Sequence, residues 1–267
     1  MISWYSLFFA LIAYTLLSCG FVLMKKGISW IGHKGKKDRI YYRNLFTWIG
    51  GFIVLNSYII PNAIALKNLE PHIVSSFAAW GVVVLVFLSK AVLKEQLFRS
   101  DYIYTMLIFI SITLLNLYEQ PKDQITVNST AFVVLSLFPL LVMAFMLTKW
   151  ISKKLKAILF AGISGLSTGM IIVSIKALVT LSGFRIGSYF SSLYFYVYLF
   201  FSLAAFVTLQ ISYKLGPMMR VGPVQYGAAI VYPVLCSYSV FGNKLTFIQI
   251  ASLFLLIFGT IRILKKH

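Results

Sequence analysis

The sequence predicts an all-α integral membrane protein: nine transmembrane helices, arranged as two inverted four-helix repeats joined by a connector helix. Three observations carry that expectation. First, 60% of the 267 residues are hydrophobic and only 11% are charged, against about 25% charged in a soluble domain. Second, apolar runs take up nearly the whole length. A bilayer core needs roughly 20 such residues per helix, and backbone in lipid must satisfy its own hydrogen bonds. Third, two stretches recur at nearly one spacing. Leu17-Ser18-Cys19-Gly20 matches Leu166-Ser167-Thr168-Gly169, 149 residues later, each followed by apolar residues and then Lys26 or Lys176. Val92-Leu93-Lys94-Glu95-Gln96-Leu97 matches Val240-Phe241-Gly242-Asn243-Lys244-Leu245 at an offset of 148.

The spans fall at about 2–24, 45–66, 71–92, 102–118, 130–150, 157–181, 193–213, 222–241 and 247–264. The first lacks a basic n-region and a small-residue cleavage site, so it reads as a helix and not as a removable signal peptide. The second and third form a tight hairpin, with Pro61 expected to kink the second and Glu70-Pro71 opening the third. The fourth is short. The fifth is the connector, giving a first repeat over 1–129, a connector with its loop over 130–156 and a second repeat over 157–267. The sixth packs Gly162, Gly165 and Gly169 into an apolar run, a pattern that lets helices approach closely. The seventh carries Gln210, the eighth carries Pro233 and a second expected kink, and the ninth ends the chain.

Charge sets the orientation. Of the 24 lysines and arginines, 19 fall in the connections after the odd-numbered spans. Lys67, Lys122, Arg185 and Lys244 fall on the other side, and Lys176 lies within a span. Basic residues collect on the cytoplasmic side, so the N-terminus is expected outside and the C-terminus in the cytoplasm, with the plasma membrane as the default location. Five helices separate the repeats, so the second enters the bilayer from the opposite face. Such inverted pairs are a signature of transporters. Asn62 and Gln210, 148 apart, fall near opposite faces.

The same residues exclude other classes. The formal charge of +18 sits at helix ends, and no basic domain exists to hold nucleic acid. Cys19 and Cys236 lie in apolar runs and read as small core residues. His33, His72 and His267 have no metal-ligand spacing, and no phosphate-binding glycine loop is present. No catalytic cluster, tightly bound metal or cofactor is expected.

Lys25-Lys26-Gly27-Ile28, followed by a basic loop and Arg43-Asn44-Leu45-Phe46-Thr47-Trp48-Ile49-Gly50, carries a resemblance. So do the Pro71-led third helix, Leu93-Lys94-Glu95-Gln96-Leu97, Ser174-Ile175-Lys176-Ala177-Leu178 and Thr208-Leu209-Gln210-Ile211-Ser212-Tyr213. Together they resemble the NIPA-type, magnesium-transporter-like branch of the drug/metabolite transporter superfamily. The resemblance implies alternating access and a substrate of Mg2+ or another divalent cation. Members of the branch tend to carry an acid in the second helix, where this chain reads Leu55-Asn56-Ser57-Tyr58.

Polar groups inside a membrane line pathways or pair across helices. The candidates are Asn56, Asn62, Ser76, Trp80, Ser167, Thr168, Lys176, Gln210, Tyr226 and Tyr232. Each alone is more often helix–helix glue than a ligand contact; their concentration favours a shared polar cavity. Lys176 either snorkels to the outer interface or supplies an anion-binding charge at a cavity rim. Glu70 either meets the helix dipole or captures cations at the outer mouth. Trp80 needs a partner for its indole N–H. Glu95 is expected to face cytoplasmic solvent beside Lys94 or Arg99. The alternative functions are transport of a small polar or aromatic organic metabolite, and a non-transporting scaffold subunit. The expected partners are the lipid bilayer and a small-molecule or ion substrate; a homodimer is compatible with the sequence.

Overall fold

The computed structural model describes residues 4–31, 39–66, 77–117, 127–146, 152–182, 186–242 and 245–266. Those residues form helices and short connections, with no strand among them. We label the helices α1 (Trp4–Gly27, running into a 3-10 turn at Ile28–Trp30), α2 (Arg39–Ser57), α3 (Ile59–Leu66), α4 (Ala78–Leu93) and α5 (Arg99–Leu117). They continue as α6 (Ser129–Met146), α7 (Lys153–Ser182), the single turn α8 (Ile186–Tyr189), α9 (Leu193–Leu215), α10 (Met218–Phe241) and α11 (Phe247–Lys266).

Among the described residues, six stretches are long and apolar enough to cross a membrane: Trp4–Trp30, Arg39–Asn62, Leu155–Ser182, Leu193–Leu215, Met218–Phe241 and Phe247–Leu264. Ala78–Leu93 and Ser129–Phe145 are shorter apolar helices. Large apolar side chains point outward along them, such as Phe46 and Ile53 on α2, Leu141 on α6, Leu203 on α9 and Phe254 on α11. Water would penalise faces of that extent, whereas lipid does not. The chain is an all-α membrane protein.

The second predicted span is two helices. Pro61 has no N–H to give the carbonyl of Ser57, and the helix breaks there: α2 ends at Ser57 and α3 begins at Ile59. Pro233 lies inside α10, as do Pro223 in the same helix and Pro139 in α6.

The chain divides into two compact units. The first holds Met1–Glu119, Pro217–Gly222 and Phe247–His267, and the second holds Gln120–Gly216 and Pro223–Thr246. In the first, α1 and α2 run antiparallel at backbone contact. A methyl on Gly20 would come within 2.6 Å of the Leu55 backbone, and one on Gly51 within 2.6 Å of the Met24 nitrogen. Small residues permit that approach where lipid supplies no hydrophobic drive. Ser18 Oγ donates to the Gly81 carbonyl at 2.7 Å, tying α1 to α4. Gly259 of α11 sits against Ile108 of α5. At the start of α5, Phe98 N–H donates to Asp101 Oδ2 at 2.7 Å, the backward half of a capping box.

In the second unit, Ser164 Oγ donates to the Ala205 carbonyl at 2.9 Å, joining α7 to α9. Gly165 lies against the Gln225 carbonyl and Ala228, and Gly169 lies against Pro233 and Tyr232. Gly162 differs: its nearest neighbour, Val224 Cγ1, would stand 3.9 Å from an added methyl, an ordinary contact. A core of Phe132, Met170, Val173, Phe201, Tyr232, Cys236 and Val240 fills this unit. Cys236 is buried and unbridged, and Cys19 is a partly buried free thiol.

Candidate functional site

The polar side chains expected at depth fall in both units. In the first, Asn56 is exposed on α2, and its Nδ2 donates to the Phe52 carbonyl of its own helix at 2.8 Å. Asn62 is the more suggestive amide: its Oδ1 is buried and accepts no hydrogen bond among the described residues. A buried acceptor left open loses about 1–3 kcal/mol, which marks a position where an incoming group would be welcome. The Trp80 indole does have a partner. Nε1–H donates to Thr15 Oγ1 at 3.0 Å, and Thr15 donates onward to the Leu11 carbonyl at 2.7 Å. The expectations for Glu70 and Ser76 lie outside the described residues.

In the second unit, α7 carries buried hydroxyls along one side. Ser167 and Ser174, two turns apart, are buried, and among the described residues neither Oγ has a hydrogen-bond partner. Thr168 instead donates to the Ser164 carbonyl of its own helix at 2.9 Å. Gln210 on α9 and Tyr226 on α10 are both 7% exposed. Tyr232 donates its hydroxyl to the Leu135 carbonyl of α6, so it ties two helices together. Lys176 is partly exposed and holds its ammonium 4.9 Å from the centre of the Phe241 ring, an arrangement that stabilises a cation without a carboxylate. Hydroxyls, an amide, phenols and the Lys176 ammonium thus make up the candidate polar set of this unit.

The reading of Glu95 needs correction. It is partly buried, and it reaches neither Lys94 nor Arg99 through any hydrogen bond seen in the structure. Its Oε1 accepts the Met218 N–H at 2.6 Å and its Oε2 accepts the Met219 N–H at 2.8 Å. The first N–H groups of a helix lack intrahelical acceptors, and Pro217, just before α10, has no side-chain oxygen to supply one. A carboxylate also suits the positive end of the helix dipole. The physical reason is local geometry: Lys94 takes a left-handed conformation, φ 57°, and the Glu95 N–H closes back onto the Ser89 carbonyl at 3.3 Å. That turn ends α4. The signal in the sequence was a helix start at Pro217-Met218 without a Ser, Thr, Asp or Asn to cap it.

Lys94 also has a counterpart. Among the described residues, only Lys94 and Gly242 have a left-handed backbone, φ 57° and φ 63°. Each follows the last residue of a helix, Leu93 of α4 and Phe241 of α10. They stand 148 residues apart, the offset of the second sequence echo.

Comparison with protein-family models, with curated proteins and with solved structures gives no match for this chain.

Proposed function

We propose that the protein is a polytopic membrane transporter of the drug/metabolite type, working by alternating access between two inverted four-helix repeats. The observation that carries this reading is the pair of left-handed helix ends at Lys94 and Gly242. Helices often end on a left-handed residue, but among the described residues only these two do, and their spacing is that of the sequence echo, which supports duplication. In this reading the spans missing from the long-helix set are α4, α5 and α6, and the crossings number nine. The N-terminus faces outward, and the α4–α5 connection with Glu95 faces the cytoplasm, as the distribution of lysine and arginine suggests.

The substrate is a small polar or aromatic organic solute. What favours this over a divalent cation is chemical: magnesium is usually bound through one or two carboxylates. The candidate set of the second unit offers Ser167, Gln210 and Tyr226 with no acid, and no acidic residue follows Asp123 in the whole chain.

The test begins with magnesium, the ion implied by resemblance. Purified protein in liposomes containing a magnesium indicator is compared with empty liposomes. We expect no saturable uptake from a preparation shown to be folded. A thermal-stability screen over amino acids, nucleotide sugars and organic anions then reads binding directly, followed by flux of whichever solute stabilises the protein. Saturable magnesium entry would overturn the substrate class; absence of flux for every stabilising solute would count against transport itself.

A further inference from the structure

We propose that the adjoining ends of α4 and α5 form a binding surface for an anionic phospholipid, whose phosphate is held by Lys90, Tyr102 and Arg99. From Lys90 to Asp101 the sequence is nearly balanced in charge, with Lys90, Lys94 and Arg99 against Glu95 and Asp101. Folding separates the two signs. Glu95 gives both carboxylate oxygens to the Met218 and Met219 N–H groups. Asp101 is fully buried and accepts the Phe98 N–H. The three cations remain exposed. The outer face of this connection is therefore positive, because its carboxylates are occupied as helix caps.

One of the cations is already positioned. Lys90, in the last turn of α4, donates to the Tyr102 hydroxyl of α5 at 3.2 Å and holds its ammonium 5.8 Å from the centre of that ring. A phenol orients the lysine without neutralising it. The Tyr102 oxygen, while accepting from Lys90, keeps its own hydrogen to donate, and the ammonium has further N–H groups. Lysine and phenol can thus take two oxygens of one phosphate, and bonds between charged partners are the stronger kind. Arg99 lies three residues before Tyr102 on α5, a spacing that shares a helix face.

The apolar surface beside these groups argues for a lipid over a soluble anion. Phe87 lies three residues before Lys90 on α4, and its ring centre is 5.8 Å from that of Tyr102. Met106 lies four residues beyond Tyr102 on α5. Phe87, Ile103 and Met106 are all exposed, on helices of a membrane protein. Apolar side chains therefore continue along both helices from the charged end, which matches a phosphate headgroup with acyl chains attached. Clusters of lysine and arginine beside the apolar core attract anionic lipids. The surface lies wholly within the first unit and is independent of the transport reading.

The test uses purified full-length protein in mild detergent. It is titrated separately with phosphatidylglycerol, phosphatidylcholine, glycerol 3-phosphate and inorganic phosphate. Native mass spectrometry reads lipid retention, and melting temperature reads stabilisation. We expect phosphatidylglycerol to be retained and to stabilise, and phosphatidylcholine, which carries no net charge, to bind about fivefold more weakly or worse. The two soluble phosphates should do neither. Lys90→Gln and Arg99→Gln should each weaken phosphatidylglycerol binding about fivefold, and Tyr102→Phe about threefold. Lys90→Arg keeps the charge and should keep most of the binding. Lys214→Gln, an equal loss of charge at the exposed end of α9, should change nothing. Equal retention of the two lipids would overturn the proposal, as would equal loss in Lys214→Gln, which would reduce the effect to diffuse charge. Stabilisation by inorganic phosphate as large as that by phosphatidylglycerol would replace the lipid with a soluble anion. Loss of binding in Lys90→Arg as complete as in Lys90→Gln would remove the charge from the explanation.

Discussion

Lys94 and Gly242 hold the same left-handed backbone conformation, φ 57° and φ 63°, at helix ends 148 residues apart. Only one of them is a glycine, so the two positions bear different conformational strain. A side chain in the left-handed region costs roughly 1 kcal/mol. Lys94→Gly should therefore raise stability by about 1 kcal/mol and Gly242→Ala lower it by a similar amount. Thermal or denaturant unfolding in a mild detergent reads both. Changes of the same sign in the two variants would contradict the shared geometry.

Glycines on α1, α2 and α7 separate by what stands opposite them. Gly20→Val and Gly165→Val force methyl groups into backbone already in contact, and each should lose about 1–3 kcal/mol or more. Gly50 has nothing within 4 Å of an added methyl. Gly50→Ala should gain about 0.5–1 kcal/mol from helix propensity. The contrast between Gly50 and Gly51, neighbours in sequence, is a sharp check by melting temperature.

Trp80 and Thr15 should be coupled. Trp80→Phe and Thr15→Val each remove the same 3.0 Å hydrogen bond, and the double variant should lose less than the sum. A double-mutant cycle is expected to give a coupling of roughly 0.5–1.5 kcal/mol. A coupling near zero would show that the indole is held by packing alone.

Ser167 offers a test that separates stability from binding. Its hydroxyl is buried without a partner among the described residues, so Ser167→Ala should leave stability unchanged or raise it by about 1 kcal/mol. If the hydroxyl faces the solute, the same change should weaken solute-dependent stabilisation. Lost stability with solute binding intact would assign Ser167 to packing.

Periodicity and composition made the helices legible, because lipid leaves so few alternatives for a backbone. Gly165 and Gly169 were readable as close-packing positions for the same reason, and the break near Pro61 followed from its missing N–H. Gly162 was not separable from them, since openness depends on which residue of α10 stands opposite. Asn56 reads as a depth-placed amide, and its bond to the Phe52 carbonyl of its own helix is a detail that composition does not carry. The partner of Glu95 was least accessible of all. It lies more than 120 residues away, and local charges drew attention to Lys94 and Arg99 instead. Long-range backbone donors leave no composition signal; only the uncapped start at Pro217 hinted at a missing oxygen.

The first unit takes in a helix made long after its other members. α5 ends at Leu117 and meets α11, which begins at Phe247. At a synthesis rate of about 5–20 residues per second, α5 waits on the order of ten seconds in the bilayer before that partner leaves the ribosome. During that interval the face of α5 around Tyr104 and Ile108 must rest against lipid or against a helper. Ribosome-stalled chains ending before Phe247 should therefore be captured by membrane chaperones or insertase subunits through this face, and release should follow once α11 is inserted. Assembly of the first unit in the membrane thus waits on α11.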